Sequence, residues 1–309
     1  MSIITPANIK QYHNDGATCV RNVFSQQWLD VIARGVERNL QSPSQYASEN
    51  AVGEGSGRFF DDYVNWQRIP EYENVIRQSP AAKSAAELMQ SASAQFFHDH
   101  LLVKEPNTTK ETPWHQDAPY YFVEGKQTIS MWIPLEPVGK NKNTLRFIAG
   151  SHLWKDMVRP VSWADDSDFY DRTNQNTNIN SAMKWAPIPD PDGRDQETMK
   201  VLEWSLQPGD VVFFHFRTCH GARGNSTRLR RRALSLRWVG DDARYIERPG
   251  TTSPPFPGHG MIQGEKLRED WFPVLYNSNG SRSVHRSNSS SSSGSRSSSS
   301  SKSSTCSRL

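Results

Sequence analysis

The chain has 309 residues, of which 35% are hydrophobic, and a formal net charge of +3. No apolar run approaches the ~18 residues of a membrane span, and three scattered cysteines exclude a disulfide framework and favour a reducing compartment. The basic excess is confined to residues 277–309, which hold five basic residues and no acid, whereas the rest has 31 basic and 33 acidic residues. We therefore expect neither a membrane span nor a nucleic-acid partner.

The C-terminal segment differs in composition from everything before it, since 18 of its 33 residues are serine. Such a segment cannot bury enough apolar surface to offset its ordering entropy. We therefore predict one globular domain over residues 1–276 and a disordered serine-rich tail over residues 277–309. The last three residues, Ser307, Arg308 and Leu309, fit the small-basic-leucine pattern of a peroxisomal address. They predict a peroxisomal import receptor as partner and a peroxisomal location, with the cytoplasm as the alternative.

The first hundred residues favour helices joined by loops. Ser25 can cap a helix whose apolar positions follow a helical period up to Leu40. A second helix is predicted to start at Ser79–Pro80 and to bury side chains as far as Phe96. The glycine-rich segment Gly53–Gly57 lacks the Lys-Ser/Thr of a phosphate loop, and it favours a flexible lid.

From about Phe97 the hydrophobic pattern changes to a period of two, which is typical of β-strands. A polar insertion follows at residues 158–200, and a loop of that length in a compact domain is usually functional or disordered. Short strands with turns and no alternating helices indicate an antiparallel β-sandwich or jelly roll, mainly β with flanking helices. The strand candidates are His98–Lys104, Thr128–Leu135, Thr144–Ile148, Val201–Leu206, Asp210–Arg217 and Arg232–Val239.

The sharpest local signal is Trp114-His115-Gln116-Asp117. In extended backbone His115 and Asp117 point to the same face about 7 Å apart, so both can reach one metal ion. His220 follows an apolar strand candidate and can supply a third ligand. Two imidazoles and one carboxylate form the facial triad of non-haem Fe(II) oxygenases, which leaves positions open for substrate and O₂.

Four other residues in this region have simpler interpretations. His98 and His100 form a rival pair on a predicted strand, and no carboxylate partner is apparent for them, so we interpret them as strand residues. His152 stands in a Gly-Ser-His turn and is predicted to have a structural or supporting role. Cys219 points away from the neighbouring ligand candidate by strand alternation, and we expect it to pack.

Arg231 stands eleven residues after the third candidate ligand, at the start of the next strand. By strand alternation its side chain lies on the same face as those of Ala233 and Ser235. This face is opposite to the apolar one, so Arg231 would point into the barrel. A buried arginine needs an anionic partner, and the distal carboxylate of 2-oxoglutarate can bind a guanidinium through two hydrogen bonds. A solvated basic turn is the alternative, which we prefer for Arg228 and Arg230.

Together these motifs resemble the phytanoyl-CoA dioxygenase family of Fe(II)/2-oxoglutarate-dependent oxygenases, over roughly residues 10–245. The resemblance implies a double-stranded β-helix of the cupin type. It also implies hydroxylation of a small-molecule or acyl substrate, acyl-CoA included, with release of succinate and CO₂, O₂ as cosubstrate and ascorbate as reductant. It implies iron ligands at His115, Asp117 and His220, and 2-oxoglutarate contacts at Arg231, Gln116 and Trp132. The matching segments are Thr112–Asp117, Met131–Leu135, Leu145–His152, Gln207–Val211 and His220–Arg231.

Residues around the triad suggest a substrate pocket. Tyr120, Tyr121 and Phe122 directly follow the triad carboxylate and are candidate substrate contacts, with core packing as the alternative for each. Lys104 is expected to meet an anionic group of the substrate or cosubstrate. Two other functions stay open at this point: a zinc-dependent hydrolase, because the same ligand set binds catalytic zinc, and a non-catalytic β-sandwich binding module. A zinc-dependent hydrolase would leave Arg231 without a function.

Overall fold

A computed structural model describes the chain over residues 2–50, 56–163, 167–170 and 184–279. Most of the predicted glycine-rich loop, part of the polar insertion and nearly all of the serine-rich tail lie outside these residues. The C-terminal tripeptide lies outside them too. No helix in the described part is both long and apolar enough to cross a membrane. The helices are α1 (Pro6–Asp15), α2 (Gln26–Gln41), α3 (Pro70–Gln78) and α4 (Ala81–Met89).

Helix α1 is defined at both ends by local sequence. Thr5 accepts a hydrogen bond from the backbone N–H of Asn8, whose side chain accepts one from the Thr5 N–H. Gly16 ends the helix with a φ of 81°, a left-handed conformation that favours glycine. The Gly16 carbonyl then accepts hydrogen bonds from the His215 N–H at 2.9 Å and the Thr218 hydroxyl at 2.7 Å. The end of α1 thereby holds the turn that precedes the third predicted metal ligand.

Helices α2 and α4 occupy the two helical segments that the sequence predicts. Ser25 is the N-cap residue of α2, although its side chain makes no capping hydrogen bond. Helix α4 has Pro80 at its N-cap and ends at Met89, because Gln90 adopts left-handed backbone with a φ of 52°. The expectation that this helix buries side chains as far as Phe96 is therefore wrong, since that residue lies in a strand.

The period-two region forms short strands, as predicted, and the first of them begins earlier than expected, at Ser93. The last strand ends at Asn277, the first residue of the predicted tail. The strands are β1 (Ala17–Val20), β2 (Ser48–Glu49), β3 (Phe59–Tyr63), β4 (Ser93–Lys104), β5 (Thr112–His115), β6 (Val123–Glu124), β7 (Thr128–Pro134), β8 (Leu145–Ile148), β9 (Met157–Val158), β10 (Trp185–Ala186), β11 (Val201–Glu203), β12 (Val211–Phe214), β13 (His220–Ala222), β14 (Arg231–Val239), β15 (Arg244–Tyr245) and β16 (Val274–Asn277).

Two antiparallel sheets form the body of the fold. The larger has the order β1-β12-β7-β14-β4-β3-β2, with β16 also paired to β4, and the smaller has the order β11-β8-β13-β5. Apolar side chains from both sheets form one cluster, in which Trp132 and Phe214 of the larger sheet join Phe147 and Ala222 of the smaller. Two sheets packed in this way form the predicted jelly roll.

The helices cover the outer face of the larger sheet. Leu234, Leu236 and Trp238 of β14 are fully buried in an apolar cluster that includes residues of α2, α3 and α4. Because side chains alternate along a strand, Arg231 and its same-face neighbours in β14 point toward the space between the sheets. This is the orientation that the sequence predicts.

A β-bulge changes which side chains of β4 face inward. The register with β14 shifts by one residue, so that Arg237 pairs with His98 whereas Trp238 pairs with Phe96. Phe96 packs under the helices, while His98 and His100 line a cavity between the sheets. A bulge inserts one residue and re-aims the side chains beyond it, as it does here.

The packing between β14 and the helices can be tested with a pair of leucines. Leu234→Ala should lower the free energy of unfolding by about 2–5 kcal/mol, because it leaves a cavity at a fully buried position. Leu229→Ala is the matched control, at a position that is 54% exposed, and should change it by less than about 0.5 kcal/mol. Urea denaturation followed by circular dichroism measures both. Equal losses in the two variants would contradict the packing described here.

Candidate metal centre

The three predicted metal ligands meet between the smaller sheet and the turn that follows β5. In the pairing of β5 with β13, His115 lies directly opposite His220. Asp117 follows β5 at the start of a 3-10 turn, where its helical backbone brings the carboxylate beside both imidazoles. Its Oδ1 atom lies 3.7 Å from His115 Nε2 and 3.9 Å from His220 Nε2. Ligand atoms of the three residues lie within 4.8 Å of one another, and all three side chains are buried.

Backbone carbonyls fix the orientation of both imidazoles. His115 Nδ1 lies 2.7 Å from the Pro113 carbonyl oxygen, and His220 Nδ1 lies 3.0 Å from the Thr218 carbonyl oxygen. Because a carbonyl oxygen can only accept, each Nδ1 carries a proton and donates it. Each Nε2 is then the nitrogen on the side of Asp117, and in the neutral ring it is the atom that can coordinate a metal.

The second oxygen of Asp117 is held by two other groups. Ser130 donates a hydrogen bond to Oδ2 at 2.8 Å, and Arg237 Nη2 lies 3.8 Å from the same atom. Burial alone would raise the pKa of Asp117, but the Arg237 guanidinium and the His115 imidazole lower it below its usual range. Burial, and to a smaller extent the neighbouring His115, lowers the pKa of His220 to about 3. The site therefore offers an ionised carboxylate and a neutral imidazole, as metal ligands require.

Sequence reasoning missed Ser130 and Arg237. Arg237 has the same parity in β14 as Arg231, so the alternation that predicts one buried arginine also predicts the other. Its guanidinium Nε donates a hydrogen bond to the Tyr121 hydroxyl at 3.1 Å. Ser130 carries no comparable signal, because a serine on a β-strand is common and its partner lies on another segment.

Arg231 is buried and only partly paired. Its Nη1 donates a hydrogen bond to the Asn143 carbonyl oxygen at 2.8 Å, and its guanidinium carbon lies 6.0 Å from the centre of the Trp132 ring. Its Nε atom, like the hydroxyls of Thr144 and Ser235, is buried without a hydrogen-bond partner in the described part of the chain. Burial lowers the pKa of Arg231 to about 10, which leaves it cationic at neutral pH. Buried unpaired donors beside a cation suit an anionic ligand with several oxygens.

Lys104 lies beside Arg231 across the pairing of β4 with β14. Its ammonium donates hydrogen bonds to the carbonyl oxygens of Lys110 at 2.9 Å and Arg223 at 3.3 Å, and it lies 4.4 Å from the centre of the Phe59 ring. Burial and the nearby Arg231 hold the pKa of Lys104 well below its ordinary value. The Lys104 ammonium therefore bonds mainly to backbone carbonyl oxygens, and it lies next to Arg231 in the sheet.

Gln116 is not oriented toward the other candidate residues. Its amide oxygen accepts a hydrogen bond from the Val158 N–H at 2.8 Å, and its amide nitrogen donates to the Arg217 carbonyl oxygen at 2.6 Å. Strand alternation places it opposite to the side chains on either side. Both ends of the amide hold backbone together, and the expected cosubstrate contact stays a prediction.

The predicted substrate contacts divide between a cavity and the core. Tyr120 and Tyr121 line the cavity, and the Tyr120 hydroxyl exchanges two 2.8 Å hydrogen bonds with the backbone of Val161. Phe122 instead packs among aromatic rings of a second apolar cluster, such as that of Phe256 at 5.6 Å. The core alternative therefore describes the surroundings of Phe122.

The other histidines divide between the cavity and the core. His100 Nε2 lies 2.9 Å from Asp61 Oδ2, so the expectation that it lacks a carboxylate partner is wrong. Asp61 lies on β3, and the sequence pattern does not reveal that β3 pairs with β4. His152 Nε2 bonds the His13 carbonyl oxygen at 3.1 Å, and Cys219 is buried in an apolar cluster. Both have the structural surroundings that the sequence predicts.

A cavity of about 220 Å³ adjoins the metal ligands. His115 and Asp117 border it, and residues of β2, β3 and β4 form much of the remaining wall. The predicted polar insertion contributes Val161, Trp163 and Phe169. The described part of the insertion therefore borders the cavity.

Comparisons with known proteins agree with this geometry. "Phytanoyl-CoA dioxygenase, peroxisomal" of Rattus norvegicus is 25% identical over 255 residues, which cover 79% of this chain and 70% of the relative. "Probable phytanoyl-CoA dioxygenase" of Caenorhabditis elegans is 29% identical over 272 residues, with 81% and 80% covered. The epimerase SnoN, solved in complex with Fe3+, alpha ketoglutarate and nogalamycin RO, has a TM-score of 0.65 at 22% identity, with 87% and 97% covered.

The fold is that of the 2-oxoglutarate-dependent oxygenases, a cupin-like jelly roll with flanking helices, and this prediction is confirmed. The family model described as phytanoyl-CoA dioxygenase (PhyH) matches residues 12–233. The chain belongs to the phytanoyl-CoA dioxygenase family, and it is an oxygenase of the 2-oxoglutarate-dependent class. Neither the zinc hydrolase nor the non-catalytic binding module has support from these comparisons.

The hydrogen bond from Ser130 to Asp117 can be tested by metal binding. Ser130→Ala should weaken Fe(II) binding about 10-fold, because the second carboxylate oxygen loses its donor and the ligand loses its fixed orientation. Ser84→Ala is the control, since Ser84 is buried on α4 and does not line the cavity. Anaerobic titration calorimetry gives both affinities. An unchanged affinity in Ser130→Ala would show that this bond does not orient the ligand.

Proposed function

We propose that this chain uses Fe(II), 2-oxoglutarate and O₂ to hydroxylate a small-molecule or acyl substrate, with release of succinate and CO₂. The observation that carries the proposal is the convergence of His115, Asp117 and His220 beside a cavity, with the partly paired Arg231 on the adjoining sheet. SnoN shares the fold and was solved in complex with Fe3+ and alpha ketoglutarate, which supports the same pair of ligands here.

The residues present fit both ligands. His115 and His220 would bind Fe(II) through Nε2, and Asp117 would bind it through Oδ1. Arg231 would bind the distal carboxylate of 2-oxoglutarate through its unpaired N–H groups, beside the ring of Trp132. The charges also balance, because Fe²⁺ with one aspartate leaves +1 and a dianionic cosubstrate needs one further cation. When bound, Fe(II) and 2-oxoglutarate would supply the activation of O₂ that hydroxylation needs.

The protein contributes position and exclusion of water. Ser130 and Arg237 hold Asp117 in one orientation, so the ligand set is formed before the metal arrives. Tyr120 and Trp163 contact the His115 ring at 6.0 and 5.0 Å between ring centres and cover it on the side of the cavity. A covered site of this kind orients the C–H bond of the substrate and keeps water from the reacting atoms.

Further features of the reaction and its location stay proposals. Small acids and acyl-CoA are both candidate substrates, and ascorbate is a candidate reductant. The rat relative is named as peroxisomal, which supports the peroxisome as the location of this chain. The cytoplasm is the alternative. The predicted contact with an import receptor falls on Ser307, Arg308 and Leu309, which lie outside the described residues.

Binding of both ligands can be tested by visible spectroscopy. Anaerobic addition of Fe(II) and 2-oxoglutarate to the protein should produce a metal-to-ligand charge-transfer band, because chelation by the keto acid requires open positions on the iron. His115→Ala should lose the band and should have no iron-dependent turnover. His13→Gln, an exposed histidine on α1, should keep both. Absence of the band from the wild-type protein would contradict the proposed function.

Arg231→Ala should weaken 2-oxoglutarate binding at least about 10-fold, because a buried cation that pairs with a carboxylate is lost. Arg228→Ala removes an exposed arginine from the preceding turn and should leave the affinity unchanged. Titration of the charge-transfer band with 2-oxoglutarate measures both constants. Equal affinities in the two variants would show that the cosubstrate is anchored elsewhere.

A further inference from the structure

The turn that joins β12 to β13 contacts the segment that carries two of the candidate metal ligands. The Phe216 carbonyl oxygen accepts a hydrogen bond from the Ala118 N–H at 2.9 Å. The next carbonyl oxygen, of Arg217, accepts one from the side-chain amide of Gln116 at 2.6 Å. These two donors directly precede and follow Asp117 in the sequence. The β12–β13 turn therefore holds the chain on both sides of the ligand carboxylate.

The same turn also contacts the third candidate ligand. The Thr218 carbonyl oxygen, which follows the two carbonyls just described, lies 3.0 Å from His220 Nδ1. Because a carbonyl oxygen can only accept, the imidazole donates this hydrogen bond. Three consecutive carbonyls of the β12–β13 turn thus bind groups at or beside the metal ligands. The shape of this turn therefore sets where the ligand side chains lie.

A side chain at the start of the turn closes it. His215 Nδ1 accepts a hydrogen bond from the Arg217 N–H at 3.0 Å. A backbone N–H can only donate, so Nδ1 carries no proton, and in the neutral ring the proton is on Nε2. Burial, and to a smaller extent the neighbouring His152, lowers the pKa of His215 to about 3, which keeps the ring neutral near pH 7. The backbone thus fixes one tautomer of this imidazole.

The second nitrogen of the ring anchors it to β7. His215 Nε2 donates to the Lys126 carbonyl oxygen at 3.2 Å and lies 3.3 Å from the hydroxyl of Thr128, the first residue of β7. A side-chain acceptor that bonds the N–H two residues further on is the arrangement of an Asx turn, which asparagine and aspartate usually form. The buried imidazole therefore has the acceptor role of an asparagine in the turn and is held in place at its other end.

We propose that His215 is a positioning residue for the metal site, since its imidazole closes the β12–β13 turn and so places the carbonyls that hold the ligand residues. This inference rests on the proposed iron site and adds to it a residue that is not itself a metal ligand. A ring that only fills space could be replaced by any side chain of similar size. A ring that closes the turn requires an acceptor at the position of Nδ1.

Two substitutions of His215 separate its two nitrogens. Asparagine places its amide oxygen near the position of Nδ1, whereas glutamine places its amide near that of Nε2 and leaves the Arg217 N–H without an acceptor. His215→Asn should bind Fe(II) within about threefold of the wild-type affinity, and His215→Gln should bind it at least about 10-fold more weakly. Anaerobic titration calorimetry on the full chain measures both. His13→Gln, at an exposed position, should leave the affinity unchanged.

The charge-transfer band of the complex with Fe(II) and 2-oxoglutarate gives a second readout. His215→Asn should keep the wild-type band maximum, because the turn stays closed. His215→Gln should shift or lose the band, because His220 is no longer held in one orientation. Circular dichroism shows whether each variant is folded, so a loss of iron binding by unfolding is recognised.

A second pair of variants tests the same turn if a His215 variant fails to fold. The Thr218 hydroxyl donates a hydrogen bond to the Gly16 carbonyl oxygen at 2.7 Å, which holds the turn against the end of α1. Thr218→Ser keeps the hydroxyl, whereas Thr218→Val keeps the branched shape without the donor. Thr218→Val should bind Fe(II) about fivefold more weakly than Thr218→Ser, as expected for one hydrogen bond.

Equal Fe(II) affinities within the folded pair would overturn the positioning role, and so would a wild-type band in His215→Gln. Absence of the band from the wild-type protein would instead overturn the proposed oxygenase function. A wild-type band together with equal affinities in the pair therefore separates the two failures.

Discussion

Asp117 is buried between two imidazoles, and its charge is stable there because the Arg237 guanidinium and the His115 imidazole offset the effect of burial on its pKa. Burial alone would favour the protonated carboxyl, which is a poor metal ligand. An ionised carboxylate within 4.8 Å of two imidazole nitrogens forms a set of groups that could hold one metal cation. The proposed metal site depends on this ionised carboxylate.

Strand β14 connects the core to the chemistry. One face carries Leu234, Leu236 and Trp238 against the helices, and the other carries Arg231 and Arg237 toward the interior. Packing on the apolar face fixes the strand, and the strand then fixes both guanidinium groups relative to the triad. Of the two buried cations on this strand face, Arg237 lies 3.8 Å from the Asp117 carboxylate, and Arg231 would meet the proposed anionic cosubstrate.

The sequence predicted the class of fold, the triad and the inward orientation of Arg231, because each follows from periodicity or from a local motif. It did not predict that His100 pairs with Asp61, since that contact depends on which strands are neighbours in the sheet. The bulge before His98 also broke the simple alternation. Gln116 lies between two candidate metal ligands in the sequence, which led to the expectation of a cosubstrate contact. In the structure its amide bonds the backbone of two other segments, and a local motif does not reveal those partners.

The most direct test of the metal centre is an anomalous difference map at the iron absorption edge, from crystals grown anaerobically with Fe(II) and 2-oxoglutarate. We expect one strong peak within coordination distance of His115 Nε2, Asp117 Oδ1 and His220 Nε2, with the distal carboxylate of the keto acid bonded to Arg231. A peak that lies away from these three atoms, or a carboxylate bound far from Arg231, would contradict the account.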